Sequence, residues 1–188
     1  ANAMKLYDIV ETEFEMATQY PFQRTTHKVR IKIFNEKGYK HANISIPYFS
    51  KKGIAKIKNL DASIYNLENG KVKKESLARW DFFKDKTADF LGLVNFTYPG
   101  LKAGSIIEYS YTTVENNLIY FPPWYIQGQI PVGTAVRIYN APADTKIFEN
   151  VIGIDSVDKT LAYLKSDRYQ RLTYWRKDVP SFKPEPFM

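Results

Sequence analysis

Two histidines, at positions 27 and 41, are the side chains best suited to bind a transition metal in a chain that contains no cysteine. A zinc site needs several ligands within a few ångström of one another, so both histidines and nearby carboxylates would have to converge. If the turn at 35–38 joins two strands as a hairpin, His27 faces Ile46 and His41 faces Lys32, roughly 17 Å apart along the ladder. The spacing therefore predicts no metal site, and we expect no cofactor.

Three glutamates, Glu11, Glu13 and Glu15, alternate with uncharged residues. In a strand this alternation places their carboxylates on one face about 6.6 Å apart, a separation that overlaps with the acid pairs of glycosidases. A solvated outer strand face explains the same pattern, and we favour it. Because the sequence also lacks a glycine-rich phosphate loop and a nucleophile elbow, we expect no catalytic residues.

Basic residues concentrate in one third of the chain. Residues 24–86 contain 16 Lys and Arg against 6 Asp and Glu, within an overall net charge of +7. Lys28, Arg30 and Lys32 alternate along one predicted strand, and we call them the basic stripe. Such a stripe suits an anionic partner, for example a component of the cell envelope, although a solvated strand face is the default interpretation. Nucleic acid is not expected, because the nearby aromatic residues lie at core or turn positions and not where they would stack on bases.

The elements that would position these residues are strands almost throughout. Between Thr25 and Phe34, apolar residues at every second position alternate with the basic stripe, which is the period of a half-buried strand. The run from Ala42 to Tyr48 predicts its hairpin partner. Residues 71–86 fit both a strand and a helical pattern, and both alternatives stay open. Alternation predicts further strands at 54–65, 90–98, 105–114, 124–130, 135–140, 146–152, 160–164 and 169–176.

About eleven strands and little helix predict an all-β fold, an antiparallel β-sandwich. Asn69-Gly70 predicts a hairpin turn, because both residues tolerate a positive φ. No apolar run reaches the ~18 residues of a membrane span. Residues 1–3, ahead of Met4, have the form of an expression-tag remnant, residues 4–178 would form one domain, and residues 179–188, with three prolines, would form a linker.

Three segments carry a resemblance to a known family. They are the run Lys102-Ala-Gly-Ser-Ile-Ile-Glu-Tyr-Ser-Tyr111, the residues Trp124 and Gln127 followed by Ile130-Pro-Val132, and Asp178-Val-Pro180 with Glu185-Pro-Phe187. In this order they resemble the domain of unknown function that precedes transglutaminase-like domains in exported bacterial proteins. Segments nearer the start also resemble the opening hairpins of this family: residues 29–34 with Gly38, Ile44-Ser-Ile-Pro47, Ile57, and residues 62–66 with Gly70. The resemblance covers roughly residues 24–187, nearly the whole chain.

The resemblance implies a β-sandwich without catalytic residues of its own, located outside the cytoplasm, either periplasmic or secreted. A signal peptide would have preceded Met4 and been removed. The partner would be a C-terminal transglutaminase-like domain of the same parent chain, which would supply the Cys, His and Asp of a thiol-based acyl transfer.

Two functions are compatible with these residues. The first is a non-catalytic accessory domain that positions or docks the following catalytic domain or a ligand. The second is a glycan- or peptide-binding module with an aromatic platform of Tyr120, Trp124 and Tyr125, and with Gln127 beside it. Exposed, coplanar rings of Trp124 and Tyr125 would favour the binding module, whereas burial of both rings would favour the accessory domain.

Overall fold

The computed structural model of the 188-residue chain describes residues 1–16, 19, 21–49, 55–88, 90–116, 123–148, 150, 152, 156–164 and 168–182. Strands contain 64% of these residues and helices 6%. The strands of this part are β1 (Ala3–Glu15), β2 (Phe22–Ile33), β3 (Ile44–Phe49), β4 (Ala55–Glu68), β5 (Lys71–Ser76), β6 (Phe83–Ala88), β7 (Leu91–Phe96), β8 (Ile106–Glu115), β9 (Val132–Pro142), β10 (Asp158–Leu164) and β11 (Tyr169–Val179). Two short 3₁₀-helices are Glu36–Ala42 and Arg79–Asp81. Neither described helix is long and apolar enough to span a bilayer.

The strands form two sheets that pack as two layers. The large sheet has eight strands in the order β10-β11-β9-β1-β2-β8-β4-β5, and the small sheet has three in the order β3-β7-β6. Within the described residues, neighbouring strands are antiparallel except β1 and β9, which are parallel. The predicted all-β sandwich of about eleven strands with little helix is therefore confirmed. The parallel pair makes the large sheet mixed, not purely antiparallel.

The main core lies between the small sheet and the part of the large sheet formed by β2, β8 and β4. Val29, Ile31 and Ile33 alternate along β2 and are at most 3% exposed, as the sequence period predicts. Burial of each such side chain contributes roughly 1.5–3 kcal/mol. The small sheet contributes further side chains to the same core, including Ile46, Val94 and Phe96.

The predicted hairpin between residues 25–34 and 42–48 is wrong. β2 pairs with β1 on one edge and with β8 on the other, so no edge is left for β3. The first 3₁₀-helix carries the chain to the small sheet, where β3 pairs with β7. His27 consequently lies opposite Tyr111 of β8 and not opposite Ile46.

The other local predictions are confirmed in part. Asn69-Gly70 forms the predicted turn between β4 and β5, with φ values of 50° and 76°. Residues 71–86 form β5, the second 3₁₀-helix and the start of β6. Residues 124–130 contain no strand, and neither does the described part of 146–152. In 124–130, apolar side chains pack against the ends of β9 and β11 without a backbone ladder. The alternation of this segment therefore reflects side-chain packing and not a strand.

Both ends of the described chain take part in the fold. Ala3 begins β1 and is fully buried, and the backbone N–H of Phe34 donates to the carbonyl of Asn2 at 3.0 Å. Val179, the first residue of the predicted linker, is the last residue of β11. The tag origin of the first three residues and the linker role of the C-terminal segment stay predictions.

Substitution of Gly38 by alanine is expected to destabilise the fold by roughly 1–3 kcal/mol. The added Cβ would lie 2.3 Å from the carbonyl oxygen of Asn2, and relief requires movement of the backbone that leads into β1. Gly128→Ala is the matched control, since no atom lies within 4 Å of a Cβ there. Urea denaturation measures both free energies of unfolding, and equal stability of the two variants would contradict the contact.

Candidate functional site

The basic stripe lies on the outer face of β2, but its three cations are not equivalent. Lys28 is exposed and has no partner among the described residues. Nε of Arg30 donates to Oε2 of Glu108 at 2.6 Å, and the two groups form an ion pair. Nζ of Lys32 donates to the carbonyl oxygen of Gly104. Two of the three cations therefore already have intramolecular partners.

Two tyrosines hold the pair of Arg30 and Glu108 in place. The guanidinium carbon of Arg30 lies 5.3 Å from the ring centre of Tyr7 and 5.6 Å from that of Tyr65, within cation–π distance. The hydroxyl of Tyr7 donates to Oε2 of Glu108 at 2.6 Å, and burial together with this carboxylate raises the pKa of Tyr7 to about 12. An anionic ligand at the stripe would have to compete with Glu108 for Arg30.

The glutamates of β1 are also engaged in the sheet. Oε2 of Glu13 accepts a hydrogen bond from Arg24 at 3.3 Å. Oε1 of Glu11 accepts from Asn140 at 2.8 Å and lies 3.2 Å from Nη1 of Arg171. These contacts link β1 to the strands on both sides of it. They are cross-strand charge pairs of an outer sheet face, as the solvated-face interpretation anticipates.

The residues of the predicted aromatic platform do not share one environment. Trp124 packs against a small cluster at the ends of β9 and β11, whereas Tyr125 is 81% exposed. Nε2 of Gln127 donates to the carbonyl of Pro180 at 3.5 Å. Tyr120 lies outside the described residues. Neither an exposed pair of rings nor burial of both is observed, so the platform stays a prediction.

A polar network that the sequence did not reveal crosses the inner face of the large sheet. Oδ1 of Asp8 on β1 lies 2.6 Å from Nε2 of His27 on β2, and Nδ1 of His27 lies 3.0 Å from the hydroxyl of Tyr111 on β8. Nζ of Lys5 donates to Oδ2 of Asp8 at 2.5 Å. The ring of Tyr109 stacks beside that of Tyr111, with 6.5 Å between their centroids. The network connects three adjacent strands.

Burial and charge act in opposite directions on Asp8. Burial alone would raise the pKa of its carboxyl, but hydrogen bonds and charge interactions with His27 and Lys5 outweigh burial and lower the pKa to about 2. Burial, followed by the charge of Asp8, raises the pKa of Tyr111 to about 12. At neutral pH Asp8 is therefore ionised and Tyr111 is protonated.

Both ring nitrogens of His27 are occupied, one by Asp8 and the other by Tyr111. A general base needs a free ring nitrogen within hydrogen-bond reach of the proton it removes. We therefore assign the network a structural role as a cross-strand brace. His41 lies apart in the first 3₁₀-helix, and no group of three or more His, Asp or Glu in the described part of the chain could hold a metal ion.

The polar inner face continues toward β9. Oγ1 of Thr12 lies 2.8 Å from Oγ1 of Thr25 and accepts a hydrogen bond from Nη2 of Arg137 at 3.1 Å. The buried guanidinium of Arg137 lies 4.6 Å from the ring centre of Tyr139. In the sequence, this polar network was indicated by His27, a polar residue at an inward position among alternating apolar residues. Only the strand register brings its partners to it.

The chain is similar to one family and to solved structures. The model of the family described as "Domain of Unknown Function with solved-structure structure (DUF3857)" matches residues 22–183. The crystal structure of a "putative protease" from Parabacteroides distasonis ATCC 8503 matches with a TM-score of 0.78 and 14% identity, over 99% of this chain and 37% of that chain. The crystal structure of an M1 zinc metallopeptidase from Deinococcus radiodurans matches with a TM-score of 0.38 and 11% identity, over 95% of this chain and 40% of that chain. No curated protein matches the sequence.

The two solved structures differ in what they show about the fold of this chain. At 14% identity the Parabacteroides distasonis structure shows the fold alone, and this chain spans little more than a third of its length. The TM-score of the Deinococcus radiodurans structure is too low to indicate a shared fold.

Replacement of Asp8 by asparagine is expected to remove a pH-dependent part of the stability. The folded-state pKa of about 2 lies below the usual 3.8, so the ionised carboxylate stabilises the fold above about pH 4, by roughly 2 kcal/mol, and this contribution is lost as the pH falls toward about 2. Between those pH values the free energy of unfolding should therefore fall more steeply for the native protein than for Asp8→Asn. For Asp61→Asn, at an exposed carboxylate, the free energy of unfolding should fall as steeply with pH as it does for the native protein. Parallel curves for the native protein and Asp8→Asn would refute the brace.

Proposed function

The chain belongs to DUF3857, a family of domains of unknown function, and on that premise we propose that it is a non-catalytic accessory domain that docks and positions a catalytic domain of the same polypeptide. The observation that carries this proposal is the similarity of 99% of this chain to a 37% part of a longer protein. Domains joined in one polypeptide commonly share an interface of moderate size.

The proposal includes the chemistry of the neighbouring domain. Motifs typical of domains that precede transglutaminase-like domains support a transglutaminase-like neighbour. The Parabacteroides distasonis protein is described as a "putative protease", and proteases and transglutaminase-like enzymes both act on amide bonds. A location outside the cytoplasm, periplasmic or secreted, is part of the same proposal.

The docking surface that we propose is the exposed inner side of β10, at the edge of the half of the large sheet formed by β9, β11 and β10. We call this exposed edge the open half, although the inward side chains Ala135 and Arg137 of β9 and Tyr174 of β11 are buried. In the described part of the chain, the main core cluster contains no residue of these strands. Leu161 is 51% exposed and lies opposite Leu172, and Tyr163 is 57% exposed and lies opposite Gln170. Exposed apolar side chains grouped in this way are typical of a surface that another domain covers.

The chain leaves the domain in the same half. β11 ends at Val179 beside Val132 of β9, and the backbone N–H of Phe182 donates to the carbonyl of Gly128 at 2.8 Å. A domain tethered at this point would be held at high effective concentration. Leu161 and Tyr163 pair with residues seven and nine positions before Val179, roughly 23–30 Å along β11, which is within the span of a small domain. The opposite edge strand, β5, carries charges that disfavour association, at Lys71, Lys73, Lys74 and Glu75.

The alternative function, a glycan- or peptide-binding module, has less support. Trp124 uses its ring to pack against the cluster of Val132, Ala135 and Val179. Among the described residues the aromatic platform would therefore depend on Tyr125 alone. For this reason we favour the accessory domain.

In a parent protein that includes the following domain, the amides of β10 and β11 are expected to exchange more slowly than in the 188-residue chain. Docking of two domains buries about 600–1,500 Å² of surface. Hydrogen exchange followed by mass spectrometry detects the protection of backbone amides at such an interface. Leu161→Glu combined with Tyr163→Glu should abolish the difference. Val72→Glu, at a 70% exposed position on the opposite edge, should preserve it. Superimposable exchange maps of the two native proteins would show that the domains do not dock.

The 188-residue chain alone is expected to have no transamidase or thiol-protease activity. Thiol-based acyl transfer requires a cysteine thiolate, and the sequence contains no cysteine. Release of ammonia from a glutamine-containing peptide and cleavage of the same peptide are the measurements, with a mock purification as control. Turnover above that control would contradict the accessory role.

A further inference from the structure

An open cleft of about 740 Å³ lies between the two layers, away from the proposed docking surface. On the side of the large sheet it is lined by residues 57–61 of β4. On the other side it is lined by the second 3₁₀-helix region, β6 and β7. Small-molecule sites have volumes of roughly 300–1,000 Å³, so this cleft is large enough to hold a ligand.

The floor of the cleft is apolar and continuous with the core. Leu60, Leu77 and Phe82 pack against the main core cluster, and Val94 is a fully buried member of that cluster. The ring of Phe82 is held edge-on to Phe96, with 5.1 Å between centroids. An alkyl chain on this floor would exchange water for apolar contacts, and each buried methylene would strengthen binding by up to about fourfold.

Three cations surround this apolar floor. Lys58, Arg79 and Lys84 line the cleft, are exposed and have no partner among the described residues. Asp61 is the acidic residue of the described lining. In contrast to Arg30 of the basic stripe, none of these three cations forms an ion pair with a carboxylate of the described residues. The lining therefore has an excess of positive charge that attracts an anion.

The backbone of β4 is irregular at the same place. The register between β4 and β8 shifts between Lys58 and Asp61, and Asn59 has a positive φ of 50°. Asn59 and Leu60 have no ladder partner on β8 or on β5. Bulges of this kind are frequent beside binding sites, and backbone N–H groups outside a ladder can contribute to the binding of an anion.

From these observations we propose that the cleft binds an anionic amphiphile, with a single alkyl chain on the apolar floor and a carboxylate or phosphate headgroup among Lys58, Arg79 and Lys84. The floor alone would suit any hydrophobic ligand, and the cations alone would suit any anion. Their combination selects a ligand that carries both features. A fatty acid and a monoalkyl phosphate share this chemistry.

Isothermal titration calorimetry of the 188-residue chain tests the proposal with probes kept below their critical micelle concentrations. Dodecanoate and dodecyl phosphate carry both features, dodecyl maltoside carries the chain without the charge, and inorganic phosphate carries the charge without the chain. At least one dodecyl anion should bind about tenfold or more tightly than either partial probe. The tighter of the two anions identifies the preferred headgroup, and shortening its chain to eight carbons should weaken binding.

A matched pair of double variants locates the binding. Arg79→Gln with Lys84→Gln is expected to weaken binding of the preferred anion by about tenfold or more. Lys37→Gln with Lys40→Gln removes the same charge from the other 3₁₀-helix and should leave affinity unchanged. All four side chains are exposed, so both proteins should fold, and circular dichroism verifies this.

Several results would overturn the proposal. Binding of neither dodecyl anion would do so, as would equal affinity for dodecyl maltoside or for inorganic phosphate. Equal losses in the two double variants would show that overall charge, and not the cleft, causes binding. Tight binding of a single-stranded oligonucleotide that the dodecyl anions fail to displace would assign the cations to nucleic acid instead.

Discussion

The small sheet is too narrow to cover the large one, and this mismatch determines how the rest of the molecule is arranged. With strands about 4.8 Å apart, eight strands span roughly 34 Å and three span roughly 10 Å. The small sheet therefore covers β2, β8 and β4, where aliphatic side chains such as Val29, Ile33, Ile64 and Ile107 are buried. On the strands that the small sheet does not cover, the inward side chains must find other packing or hydrogen-bond partners.

At the border of the cover the inner face changes from apolar to polar. Along β2 the inward side chains pass from Val29 to His27 and Thr25, and β1 supplies Asp8 and Thr12 beside them. These groups bond to one another across the strands, because a buried polar group left without a partner costs about 1–3 kcal/mol. The brace of Asp8 and His27 is thus explained by the packing of the two layers and requires no catalytic role.

The two surfaces proposed to meet other molecules lie in opposite parts of the large sheet. The open half presents Leu161 and Tyr163 on β10, in the same half of the large sheet as Val179, where β11 ends. The cleft lies beside β4, near the other end of the strand order. A ligand in the cleft and a domain docked on the open half would therefore contact different residues. An accessory domain arranged in this way would hold both on one eight-stranded sheet.

The sequence by itself determined the local features. Alternation from Val29 to Ile33 identified a strand and its buried face, Asn69-Gly70 specified a turn through its own backbone preferences, and short motifs indicated the family. It did not determine which strands pair, because alternation specifies a face but not the neighbour at each edge. β2 was therefore assigned to a hairpin with β3, although it pairs with β1 and β8. The parallel pair of β1 and β9, the brace of Asp8, His27 and Tyr111, and the cleft beside β4 join residues far apart in the chain. Only the tertiary structure decided them, since side-chain contacts of this range exist only once the strand order and register are set.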